Sequence, residues 1–64
     1  MENIFVLSWS NGQQCFHIER IADMLKANLD AFKNGYPVDF IVLAFADSFE
    51  AINAKRKELE EFKK

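Results

Sequence analysis

Seven consecutive residues, Phe40-Ile41-Val42-Leu43-Ala44-Phe45-Ala46, carry no charge, no polar side chain, no proline and no glycine. Such a run is the length of one β-strand and far short of the roughly 20 apolar residues that cross a bilayer. Successive side chains of a strand point to opposite faces, so a strand apolar at every position asks for cover on both. The fold must therefore place material above and below this segment. A chain of 64 residues has room for one domain, residues 1–64, to do so. A domain of that size buries only about 60% of its unfolded surface.

The segment before it supplies two more strands. Ile4–Trp9 is β-branched, aromatic or Leu apart from Ser8, and Asn11-Gly12 follows. Asn-Gly between apolar runs is the strongest short-range hairpin signal, because both residues tolerate positive φ. A two-residue turn sets Ser10 opposite Gln13, Ser8 opposite Cys15, Val6 opposite His17 and Phe5 opposite Ile18. The return strand is then Gln13–Ile18. Alternation puts Phe5, Leu7, Trp9, Phe16 and Ile18 on one apolar face, and Ile4, Val6, Ser8, Ser10, Gln13, Cys15 and His17 on the other. Reading Ser10–Gln14 as a plain loop into a helix gives the alternative, β-α-β-α.

A helix is expected from about Glu19 to Lys33. Ile18, Ile21, Ala22, Leu25, Leu29 and Phe32 recur at three and four residues, a stripe expected to face the core. Asn34-Gly35 supplies a left-handed stop and Pro37 prevents a restart. Val38–Ala46 reads as the third strand. Asp47 reads as the N-cap of a second helix, about Ser48–Phe62, with Glu50 closing a capping box. Phe49, Ile52, Leu59 and Phe62 mark its apolar side, and Lys63-Lys64 is expected to fray. The fold class is α+β: a small β-β-α-β-α domain, three-stranded sheet with N-terminal hairpin and two helices. If the third strand lies beside the second and parallel to it, their crossover is right-handed.

Charge and cysteine content narrow the setting. Ten acidic and eight basic residues leave a net charge of -2, which disfavours nucleic acid as a partner, since phosphate neutralisation drives that binding. Cys15 is the one cysteine and cannot form an internal disulfide, which suits a reducing compartment. No basic segment precedes the first apolar run as in a signal peptide. The expected location is cytoplasmic, with no membrane partner.

No motif names a reaction. Cys15 and His17 share a strand face, so thiol and imidazole could touch, and a nucleophile beside a base is how thiol catalysis begins. No orienting group, oxyanion site or cleft accompanies them by sequence, and a small free Cys on a sheet is ordinarily packing. One His and one Cys fall short of the four ligands of a structural zinc site. Gly12 and Gly35 are too far apart for a phosphate loop or a dinucleotide fingerprint, and each has a turn to make. In the run Lys55-Arg56-Lys57, cations interleave with Glu58, Glu60 and Glu61, which reads as a solvated face with Arg56–Glu60 and Lys57–Glu61 pairs. No catalytic residue, cofactor or metal is therefore assigned.

The third strand carries the functional expectation. Outside the hairpin it takes a sheet edge, and edges are normally short, charged or bulged because their free N–H and C=O groups invite pairing. Either the second helix covers the far face and edge of this strand, closing the monomer, or another chain does; the second expectation points to a non-catalytic protein-interaction module, a regulator or inhibitor that binds a protein partner or itself as a homodimer. The candidate partner-binding residues are Trp9, Phe40, Val42, Ala44 and Arg56. The alternatives are a small nucleic-acid-binding module on the basic side of the second helix, and a small thiol enzyme at Cys15.

Overall fold

The computed structural model describes residues 3–37 and 39–63. Val38, expected to open the third strand, lies outside them. The order is β1 (Phe5–Ser10), β2 (Cys15–Arg20), α1 (Ile21–Asn34), β3 (Phe40–Ala46), α2 (Phe49–Glu60) and a final turn of 3₁₀-helix, Glu61–Lys63. This is the β-β-α-β-α order that periodicity and turn chemistry indicate. The sheet order is β2-β1-β3, with β1 antiparallel to both neighbours. β3 thus lies beside β1, not beside β2, and the chain passes over β1 by way of α1.

The hairpin turn is longer than Asn-Gly alone requires. Ser10 pairs with Cys15, Trp9 with Phe16 and Ser8 with His17, so four residues, Asn11–Gln14, close the loop. Gln14 takes the left-handed conformation, φ 56°, and Gly12 does not. Two side chains favour the wider loop. The Ser10 hydroxyl accepts from the Gln13 amide at 3.1 Å and donates to the Asp39 carboxylate at 2.5 Å, and the Gly12 amide donates to that carboxylate at 2.9 Å. The register moves by two residues, so every side chain keeps its expected face.

One face, here called B, carries Phe5, Leu7, Trp9, Phe16, Ile18, Ile41, Ala44 and Ala46. The other, face A, carries Val6, Ser8, Ser10, Cys15, His17, Glu19, Phe40, Val42 and Phe45. The change of phase within β3 comes from a bulge. Leu7 pairs with Ala44 and Ser8 with Val42, which leaves Leu43 without an opposite number on β1. The bulge turns the two alanines toward face B and throws Phe45 to face A.

α2 covers face B. Ile52 is its one buried residue, Phe49 meets Phe5 edge to face at 6.0 Å, and Leu59 lies over the sheet near Trp9 and Ile41. Its N-cap is Ser48, whose hydroxyl accepts from the Ala51 amide at 3.1 Å. Asp47 lies one residue too early, so Glu50 is not at N3 and the expected capping box does not form.

α1 covers face A, but not with the stripe that periodicity selects. Met24, Ala27 and Asn28 face Ser8, Glu19, Phe40 and Val42. At 100° per residue Leu25, Leu29 and Phe32 lie roughly a third of a turn away, and all three are exposed, Phe32 by 83%. Ala27 is itself exposed, Ala31 is half-buried and no residue of α1 is buried, so the helix covers this face without a buried apolar seam of its own. The start of α1 has no side-chain cap, as its sequence implies, and the Ile21 amide bonds instead to the Ile4 carbonyl at 2.9 Å. Its end is the expected one. Gly35 is left-handed at φ 72°, and the Tyr36 and Gly35 amides bond to the carbonyls of Ala31 and Phe32, a Schellman motif.

The Cα atoms span 34 × 29 × 11 Å. Two helices stacked on a sheet need more than 11 Å along the stacking direction, and so do strands of six and seven residues along theirs. The thin axis is therefore the width of three strands, and neither helix reaches round an edge.

Candidate interaction surface

Hydrogen bonding along β1 defines which backbone groups are left over. The Ser10 carbonyl accepts from the Gln14 amide, and the Ile4 carbonyl from the Ile21 amide, both on the β2 side. Backbone direction alternates along a strand, so the even residues of β1 bond toward β2 and the odd ones toward β3. Phe5, Leu7 and Trp9 oppose Ala46, Ala44 and Ile41. The backbone groups of Phe40, Val42 and Phe45 consequently point outward, along a free edge.

The side chains at this edge are bare as well. Phe40, Ile41, Val42 and Leu43 are each 41–49% exposed and Phe45 57%. A fully buried Phe, Leu, Ile or Val contributes about 1.5–3 kcal/mol relative to exposure, so a large part of the apolar content of β3 does no work inside one chain. The buried hydrophobic core among the described residues is small: Val6, Leu7, Trp9 and Ile52. The opposite edge, β2, ends in Glu19-Arg20 and holds His17, the charged composition that blunts edges.

The residues singled out from sequence fall into three places. Phe40 and Val42 come together on face A beside the free edge, with the Phe40 ring edge-on to His17 at 5.0 Å. Trp9 and Ala44 lie on face B. Trp9 is buried, with its indole N–H bonded to Asn11 Oδ1 at 3.1 Å, its ring against Phe16 at 4.8 Å and the Lys63 ammonium 4.6 Å from its centre. Lys63 is thus held at a ring face. Arg56 stands apart on α2, held by Glu60 and by Asn53 Oδ1 at 2.9 and 3.0 Å. Lys55 pairs with Glu58 at 3.4 Å.

Sequence reasoning passed over Ile41, Leu43 and Phe45, and the outward stripe Leu25, Leu29 and Phe32. Ile41 and Leu43 line an open apolar groove of about 230 Å³ with Trp9, Phe16, Leu59 and Phe62. The signal for the helix lay in Met24, Ala27, Asn28 and Ala31, which repeat at three and four residues as regularly as the leucines do.

The thiol site assembles only in part. Cys15 Sγ is 3.3 Å from His17 Nε2, and that same nitrogen is 2.7 Å from Gln13 Oε1. Cys15 Sγ also lies 3.6 Å from Gln13 Oε1, so thiol, imidazole and amide form one part-exposed cluster in which the nitrogen beside the thiol is shared with Gln13. Ser8 lies opposite His17, not opposite Cys15 as a two-residue turn would have it. Among the described residues no group of three His, Cys, Asp or Glu is arranged to hold a metal ion, and no helix is long and apolar enough to cross a membrane. Comparison with protein-family models, with curated proteins and with solved structures finds no match.

Proposed function

We propose that the protein is a non-catalytic interaction module that binds a protein through the free edge and exposed faces of β3, and so acts by occlusion or scaffolding. The observation that carries this reading is the coincidence, on one strand, of an open backbone edge with five large exposed apolar side chains. Exposed apolar side chains on both faces of one free-edged strand mark an interaction site. Unpaired strand edges recruit partner strands through their main chain. Regulator or inhibitor describes the same reading in functional terms.

A photoreactive phenylalanine analogue at Phe45, in cells that make the protein, tests it. The expected result is one discrete covalent adduct, missing when the analogue replaces Lys57 on the charged side of α2. A diffuse ladder of products, equal at both positions, would show ordinary stickiness and defeat the reading.

A further inference from the structure

We infer that the occupant of this edge is a second copy of the chain, paired antiparallel through β3 about a two-fold axis. The reading rests on the interaction role proposed above and names its partner.

Surface area supports a second copy. The chain exposes 4834 Å². A monomeric protein of 7.4 kDa is expected to expose about 4200 Å². The surplus is about 600 Å² per chain, so two chains that hide it remove about 1200 Å², the lower bound of a specific interface. A second copy thus brings the surface of each chain to what its mass predicts.

Composition selects the edge. Of the two sheet edges, β2 carries Glu19, Arg20 and His17, whereas β3 carries no charge from Phe40 to Ala46. Two copies of β3 therefore meet without opposing like charges along the strand. The flanking carboxylates, Asp39 and Asp47, are at the ends, and Asp39 is drawn back to its own hairpin by Ser10 and Gly12. The thinness of the molecule leaves no helix in the way. The outward N–H and C=O groups of Phe40, Val42 and Phe45 meet their counterparts on the second chain. The result is a six-stranded sheet, β2-β1-β3-β3-β1-β2, whose outer strands are the charged ones. A two-fold pairing of this kind uses the same patch twice and closes, so the assembly stops at two.

Sedimentation with circular dichroism tests the inference on the full chain. The parent should sediment at twice the chain mass. Val42→Pro removes an N–H that points outward and no bond to β1, a setting in which an edge strand accepts proline. It should halve the mass and leave the far-ultraviolet spectrum unchanged. If Val42→Pro unfolds, Phe45→Lys decides, since its long side chain can reach water from an exposed position; a folded monomer is expected. A parent that stays monomeric at the highest attainable concentration overturns the inference, as does a dimer that survives both substitutions. The cross-link at Phe45 keeps the two readings apart. An adduct of twice the chain mass supports the dimer, a discrete adduct of another mass overturns the dimer alone, and no discrete adduct overturns both.

Discussion

Ile52→Ala examines whether α2 is seated as described. Ile52 is fully buried, the only residue of either helix so placed, and lies between α2 and face B. The substitution removes three carbons, worth about 2.4 kcal/mol at about 0.8 kcal/mol each. The cavity left behind raises the usual cost to about 2–5 kcal/mol. The surroundings offer little relief. Leu7, on the same sheet face, is itself fully buried, and Ala44 and Ala46 cannot extend into a void. A domain of this size is stable by about 5 kcal/mol in total, so the variant should be near the edge of folding. The midpoint of thermal unfolding should fall by about 10 °C or more. Circular dichroism melts at one fixed protein concentration measure it, since self-association would otherwise move the midpoint by mass action. Phe32→Ala is the internal comparison. Phe32 is larger but 83% exposed, and its removal should stay within about 0.5 kcal/mol of the parent. If Phe32→Ala costs more than Ile52→Ala, the stripe of α1 is the buried one and the packing described here is wrong.

Two further perturbations address the loop and the cap. Ser48→Ala removes the acceptor for the Ala51 amide and should cost about 0.5–2 kcal/mol by urea denaturation, whereas Asp47→Ala should cost little; the reverse order would restore Asp47 as the cap. The hydrogen bonds from Ser10 and then from Gly12 hold the Asp39 carboxyl below its usual value. A depressed carboxylate contributes stability that is full above its unfolded value, about pH 3.9, and is lost as pH falls through the folded one. The parent should therefore lose more stability than Asp39→Asn between about pH 5 and pH 2, and parallel curves for the two proteins would remove Asp39 from the account.

Element order was legible from sequence because three different signals agreed on it: the β-forming apolar run Ile4–Trp9, the Gly35 stop, and the unbroken run in β3. The hairpin length was not, because Asn11-Gly12 satisfies a two-residue turn locally, while the residue that favours the wider loop, Asp39, is distant in sequence. The faces survived that error because a slip of two residues preserves alternation. The orientation of α1 was misread for a different reason. Two sets, Leu25-Leu29-Phe32 and Met24-Ala27-Asn28-Ala31, repeat at three and four residues, so periodicity alone does not choose between them. Of the candidate surface, Phe40 and Val42 were legible from the uncharged edge. Phe45 was not, because without the bulge it would sit on the opposite face.

That bulge makes β3 unequal in how it bears changes of length. Pairing on one side of Leu43 keeps a constant sum of residue numbers with β1, and on the other side a sum one smaller. A chain lacking Leu43 would join the two halves into one regular ladder, each remaining residue still opposite the β1 partner it has now. Loss of Val42 or Ala44 would let Leu43 take the vacated place with the same result, whereas loss of a residue nearer either end turns part of one flank over. In a lineage of such proteins, the strand could drop one codon beside the bulge and keep the facing of every other residue.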